Sequence, residues 1–247
     1  MSAAQYEDFT EAAYRGLVAE ARQRYTCLSF EEAAAAESGV LWRHDIDISV
    51  HRALALAKIE HEAGLQATVF VHLHSRFYNA FEGDIAGRLR AIADLGHLMG
   101  LHFDPHAHAL APGDAVALER AVAAEAAALQ SLAGVTPVAV SLHDPDLRGW
   151  ETMDAERLGG LPNAYGRTIK ARFAYCSDSN GYWRFTPLAD ALTAGHARLH
   201  VLTHPEWWVP DAMPPRARIQ RAIDGRAAAV ARTYDEILAA IARENLH

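Results

Sequence analysis

Histidines and aspartates stand at the ends of short apolar runs along this chain, and the runs recur at near-even spacing. Asp45 and Asp47 follow Val40-Leu41-Trp42, His72 and His74 follow Thr68-Val69-Phe70-Val71, and His102 follows Leu98-Met99-Gly100-Leu101. Further on, His143 closes Val138-Ala139-Val140-Ser141-Leu142, Asp178 comes after Phe173-Ala174-Tyr175-Cys176, and His204 after Leu199-His200-Val201-Leu202. Carboxylates and imidazoles are the groups that hold divalent metals and move protons. In a parallel α/β barrel the carboxyl ends of all the strands open on one mouth, where catalytic side chains gather. The pattern implies one active site with a metal ion in it.

Two clusters carry most of the chemistry. Arg43-His44-Asp45-Ile46-Asp47 sets two carboxylates two residues apart, on one face of an extended segment. One can hold a cation while the other, ionised beside it, accepts a proton from bound water; the plainer reading is a helix cap and a surface salt bridge. In Gly96-His97-Leu98-Met99-Gly100-Leu101-His102-Phe103-Asp104-Pro105-His106, His102 and His106 meet on one metal if the segment after the strand turns helically. Imidazole suits Zn²⁺ or another borderline transition metal. His108 extends the group, and Asp104 can orient one of the rings.

His72-Leu73-His74 supports a rival. An HxH pair on a barrel strand is how amidohydrolases and histidinol-phosphatase-like phosphoesterases hold two metals, and period-2 geometry gives both rings one face. There the pair normally ends the first strand, whereas here the Asp-x-Asp strand precedes it, so we expect one histidine to line the pocket with both off the metal. Trp207 and Trp208, with Tyr182 and Trp183, can form a stacking wall for a sugar ring or cap the barrel core. Arg43 and Arg184 can bind an anionic substrate group or pair with a core aspartate.

The elements that must position these residues alternate strand and helix. Residues 5 to 25 read as an amphipathic helix with Phe9, Ala13, Leu17 and Ala21 on one stripe, packing outside the barrel or plugging its base. Ser49 can cap a helix from Val50 to Ala63 that stops at Gly64. Strands are expected near 67 to 73, 98 to 102, 137 to 142, 172 to 177 and 199 to 203, with helices near 84 to 95, 114 to 133 and 215 to 243. The stretch from Pro145 to Thr168 reads as a long functional loop. This alternation implies right-handed crossovers and a parallel sheet. We expect residues 1–36 to form a helical segment packing on a single barrel domain over 37–247.

Composition narrows the classes further. A chain of 247 residues with 51% hydrophobic content can bury a sizeable core. Its net charge of −8, with no lysine/arginine cluster, argues against a nucleic-acid partner. The start lacks the basic and apolar segments of an export signal and no run is long enough for a membrane span, so a cytoplasmic location is expected. Cys27 and Cys176 form no CxxC pair and read as buried reduced thiols. Nothing in the sequence fixes the oligomeric state.

On these motifs the chain resembles the polysaccharide deacetylase family, carbohydrate esterase family 4, the NodB-homology superfamily. Residues 96 to 106 match the family's Gly-His-x-x-Gly-x-His-x-x-x-His motif position for position, and Leu202-Thr203-His204 matches its last motif. The similarity spans about residues 38 to 208. It is strongest to a bacterial branch whose first motif reads Arg-His-Asp-x-Asp and whose last reads Thr-His-Pro-x-Trp-Trp, here Arg43 to Asp47 and Thr203 to Trp208.

The resemblance implies a distorted (β/α)7-type barrel and one divalent metal ion, with zinc the best fit. It also implies removal of an acetyl or formyl group from an amino sugar or similar N-acyl compound. By position, Asp45 becomes the general base, Asp47, His102 and His106 the ligands, and His204 the general acid. Arg43, His143, Asp178, Trp183, Trp207 and Trp208 fall to substrate binding. Ile46 separates aspartates that are adjacent in the common motif, which leaves base and ligand exchangeable. His143 stands where an arginine-containing motif is usual and is open to metal or substrate, so either it or His106 completes the metal set. The absence of an export signal favours a small-molecule or glycan-precursor substrate over a finished polymer. A barrel phosphoesterase and a non-catalytic sugar-binding module are the other two readings.

Overall fold

A computed structural model of the chain describes residues 8–108, 110–111, 113–143, 154–183 and 186–246. The elements are, in order, α1 Glu11–Arg24, α2 Phe30–Ala33, β1 Gly39–Ile46, α3 Val50–Glu62, β2 Thr68–Val71, α4 Gly83–Asp94 and β3 Leu98–Phe103. They continue with α5 Ala115–Ala133, β4 Val140–Leu142, β5 Arg157–Leu158, β6 Leu161–Pro162, α6 Arg167–Arg172, β7 Ala174–Ser177, α7 Leu188–Thr193, β8 Arg198–Thr203 and α8 Pro215–Ala240. Six strands form one parallel sheet in the order β4-β3-β2-β1-β8-β7, and β5 pairs with β6 in a separate antiparallel hairpin. This is a distorted, open (β/α) barrel of six strands among the described residues.

Local chemistry explains most of the boundaries. The Ser49 hydroxyl accepts the Arg52 N–H at the start of α3, and Asp114 accepts that of Ala117 at the start of α5. Gly134 ends α5 in the left-handed conformation, at φ +75°, which a residue with a Cβ adopts only under strain. Ser29 and Glu32 make a reciprocal capping box on α2.

Parallel strands covered on both faces need two apolar sets, and β1 supplies both. Val40, Trp42 and Ile46 belong to the cluster under the helices, together with Tyr14 and Val18 of α1. Leu41 joins Phe70, Ala139, Ala164, Ile169 and Phe173 in a second cluster inside the barrel. Phe30 of α2 enters this inner cluster, its ring edge-on to Phe70 at 5.5 Å and to His200 at 5.6 Å. Thus α1 lies outside, against α3 and α7, while the short α2 closes the base.

Of the stretch expected as a long loop, residues 154–168 hold the β5–β6 hairpin and the start of α6, whereas 144–153 lie outside the described residues, as does Arg184. Cys176 is buried, Cys27 is half-buried, and both are free. Among the described residues no helix is long and apolar enough to cross a membrane.

Candidate active site

The inward positions of β1 are Arg43 and Asp45, with Asp47 just beyond the strand. Both Arg43 and Asp45 are buried, at 0% and 2% exposure. Arg43 grips Asp45 with two hydrogen bonds, Nε to Oδ1 at 2.8 Å and Nη2 to Oδ2 at 2.5 Å. The guanidinium also donates to the Tyr165 hydroxyl at 3.1 Å and lies between the Phe70 and Tyr165 rings, 5.1 and 4.7 Å from their centroids. Burial alone would raise the Asp45 pKa, but Arg43, and then His102, more than offset it and hold the carboxyl below its usual range. Asp45 is therefore ionised. The arginine fork takes one lone pair from each carboxylate oxygen, and with the Ser141 hydroxyl also donating to Oδ1, it is Oδ2 that keeps one free to accept.

Three ligand-type atoms from three strand ends face one another above this pair. His102 Nε2 lies 3.2 Å from Asp47 Oδ1 and 3.1 Å from His143 Nδ1, and His143 Nδ1 lies 3.5 Å from Asp47 Oδ1. Atoms bound to one tetrahedral zinc at the usual 2.0–2.1 Å stand about 3.3 Å apart. Asp47 Oδ1 is nevertheless buried without a hydrogen bond of acceptable direction. A buried carboxylate oxygen 3.2 and 3.5 Å from two imidazole nitrogens suits a cation shared among the three.

The tautomer of His102 follows from its other nitrogen. Its Nδ1 is 2.6 Å from the Ser141 hydroxyl, which in turn donates to Asp45 Oδ1 at 3.5 Å. Ser141 has a lone pair left for an Nδ1–H, so Nε2 keeps its own lone pair toward Asp47 and His143. His72 joins from beyond β2 and, with Asp47 and His143, forms a set of atoms within 4.8 Å of one another. Its Nε2 is also buried without a hydrogen-bond partner, 3.7 Å from Asp104 Oδ2. Burial, and then the neighbouring His102 and His143, push His72 down to about 4, so its ring is neutral at neutral pH. One carboxylate oxygen and two or three imidazole nitrogens are a donor set that suits Zn²⁺.

His204 stands on the other side of Asp47, its Nε2 3.9 Å from Oδ2. Its Nδ1 is 2.7 Å from Asp178 Oδ1, and its backbone N–H meets both Asp178 oxygens at 3.0 Å. Burial would strip the ring of its proton, but Asp178 overrides that and raises His204 to about 10. The imidazolium directs Nε2–H at the cluster. Trp208 completes the hold on Asp178, its indole N–H donating to Oδ2 at 2.9 Å.

Other residues named from the sequence lie elsewhere. The segment after Asp104 is a 3-10 turn, Pro105–Ala107, with three residues per turn, so positions four apart do not coincide. His106 is exposed there and its ring takes no part in the cluster. Trp208 is fully buried against Phe9 and Tyr14, at 5.0 and 4.8 Å, and offers no face to a ligand. Trp183 stacks on Phe9 at 5.1 Å, and Trp207 is partly buried beside the outer core. Two residues escaped the sequence reading. Tyr165 braces Arg43, and the buried Glu206 is pushed well above the usual carboxyl range by burial and by Asp47. Neither has a spacing signal, because Tyr165 sits in a turn and Glu206 in a three-residue 3-10 helix, Pro205–Trp207, both too short to show a period.

No family model and no curated protein matches the chain. Among solved structures, it is similar to the chitin deacetylase of the fungal pathogen Colletotrichum lindemuthianum, at 16% identity, covering 76% of this chain and 81% of that one, with a TM-score of 0.41. A deacetylase of Streptococcus pyogenes solved with acetate is 14% identical, with 84% of each chain covered and a TM-score of 0.40. The catalytic domain of a peptidoglycan N-acetylglucosamine deacetylase from Eubacterium rectale is 13% identical, with 80% and 90% covered and a TM-score of 0.44. The chain itself presents an open parallel (β/α) barrel with an aspartate–histidine cluster at its carboxyl mouth.

Proposed function

We propose that the protein is a metal-dependent amide hydrolase of the polysaccharide-deacetylase kind, removing an acetyl or formyl group from an amino sugar or a similar small N-acyl compound. The observation that carries the reading is the triangle of Asp47, His102 and His143 around a buried, unbonded carboxylate oxygen, with a protonated His204 opposite. Asp47, His102 and His143 would hold one divalent ion, zinc by donor type, with His72 in reserve at its edge. When bound, such an ion polarises the amide carbonyl, makes water acidic and offsets charge on the oxyanion.

The chain's own residues do the proton work. Asp45, ionised and held by Arg43, takes a proton from the attacking water through a lone pair that the guanidinium leaves free. His204 gives its Nε2 proton to the departing nitrogen as the C–N bond breaks. The products are a free amine and a carboxylate. Asp178 and Trp208 keep the His204 ring aimed, which makes them positioning residues.

The test is zinc-reconstituted protein incubated with N-acetyl and N-formyl amino sugars, following release of amine and of acetate or formate. Wild type should hydrolyse at least one, and His102→Ala and Asp47→Ala should lose both the activity and the ion held there. Unchanged hydrolysis in Asp47→Ala would sink this reading. Phosphate release from an aryl phosphate without amine release would favour the phosphoesterase instead.

A further inference from the structure

His72 and His74 part company just beyond β2: His72 turns toward Asp47 and His143, while His74 reaches across to a second group. Its Nε2 lies 3.1 Å from Glu125 Oε1, and His108 Nε2 bonds the same oxygen from the other side. The two rings stand edge-to-face, 5.3 Å apart. Ligand atoms of His74, His108 and Glu125 all fall within 4.8 Å of one another. His108 is fixed in plane by stacking on Phe103 at 5.0 Å and 16°. Glu125 rises from the inner face of α5, its side chain only 8% exposed, and its Oε2 is buried without a hydrogen-bond partner.

Burying a carboxylate is costly unless positive charge or donors compensate it, and among the described residues the ion-pair partners of Glu125 are these two imidazoles. Two ring nitrogens converge on one oxygen of a carboxylate whose second oxygen is buried without a hydrogen-bond partner, so three donor atoms of metal-ligand type gather in one place. Nitrogen donors select against Mg²⁺ and Ca²⁺, which prefer all-oxygen shells, and favour Zn²⁺ or a similar transition metal. His74 is the exposed member, at 44%, and leaves a side open for water as a fourth ligand.

We infer that His74, His108 and Glu125 form a second zinc site, distinct from the one at Asp47. The two groups share no residue, so they do not form the bridged dinuclear centre of a barrel phosphoesterase. The second ion clamps the turn after β2 and the turn after β3 onto α5. Those turns carry His72 and Asp104 at the rim of the active site, 3.7 Å apart. By joining three elements it ties together the wall on which the first site is built.

Full-length protein stripped with chelator and titrated with Zn²⁺ alone tests this, with ion content read by elemental analysis after desalting. Wild type should retain two ions per chain. His74→Asn, His108→Gln and Glu125→Gln should each retain one, and His102→Ala should also retain one, lost in turn when His108→Gln is added. Zn²⁺ should raise the melting temperature of His102→Ala but not of His102→Ala/His108→Gln. His74→Asn changes a half-exposed turn residue and keeps the fold, which circular dichroism verifies. A single ion in wild type that vanishes in His102→Ala, or a second ion that survives in His74→Asn and His108→Gln alike, would overturn the second site. Failure of the catalytic reading registers differently, as a zinc count indifferent to His102→Ala.

Discussion

Asp178 has no exposed surface, and its two oxygens accept from the His204 ring, the His204 backbone and the Trp208 indole. Replacing it by asparagine keeps the shape and most of the donors but removes the charge that keeps His204 protonated. Asp178→Asn should lower kcat by about 10²–10⁴-fold, the usual worth of a general acid, while zinc content stays that of wild type. Turnover and metal analysis on the same preparation check this; loss of metal in parallel would give Asp178 a different role. At this scale the sequence was informative about residue types and less so about partners. Asp47, His102, His143, Asp178 and His204 are conspicuous because each ends an apolar run. The choice between His106 and His143 was hidden, because it turns on whether three residues after Asp104 coil as a 3-10 or an α turn. Trp208 was hidden for a similar reason, since a string of letters does not say which of two adjacent indoles points inward.

Among the elements, the sheet depends on residues small enough to leave room at the level of Asp45. Gly100 of β3 is paired with Phe70 of β2, and a Cβ built on it would come within 2.5 Å of the Phe70 ring. Gly100→Ala should cost about 1–3 kcal/mol through overpacking, and Gly100→Ala/Phe70→Leu should recover most of it, both measured by urea unfolding. A neutral outcome for the single variant would mean that the inner cluster yields more readily than its packing suggests. Helices declared themselves through caps and stops: Ser49 and Gly134 mark their termini in sequence as they do in space. The plug α2 did not, because four residues are too short to show a period, and only the inner cluster reveals why Phe30 is apolar. The β5–β6 hairpin escaped for the same reason.

Across the whole molecule, a buried polar knot joins the outer layer to the sheet. Glu60 of α3 accepts from Trp42 at 2.9 Å, lies 2.6 Å from His44 Nε2 and bonds Tyr14 of α1, while His44 Nδ1 meets Thr203 of β8 at 2.6 Å. Burial would raise the Glu60 pKa, but His44, His97 and the Tyr14 hydroxyl outweigh it and lower it. A depressed carboxyl stabilises the fold fully above its unfolded value, about 4.3, and that stability is lost as pH falls through the folded value. Thermal melts from pH 7 down to pH 3 should show this acid limb in wild type. Glu60→Gln should start about 1–3 kcal/mol lower at pH 7 and flatten the limb. An equally steep limb in the variant would assign acid sensitivity to other groups. The strand order carries a consequence for biosynthesis. Chain growth lays β2, β3 and β4 on one flank of β1, but the other flank waits for β8, whose Thr203 lies 159 residues after its partner His44. Contacts that distant in sequence form slowly, and a nascent chain emerges from its amino end. Until β8 clears the ribosome, the central strand has a bare edge and an apolar side, which is the condition under which chaperones engage a chain. His204 reaches Asp47 only after β8 docks, so the mouth that carries the proposed site is completed last, and an arrested or truncated product lacks that site even where most of its sheet has formed.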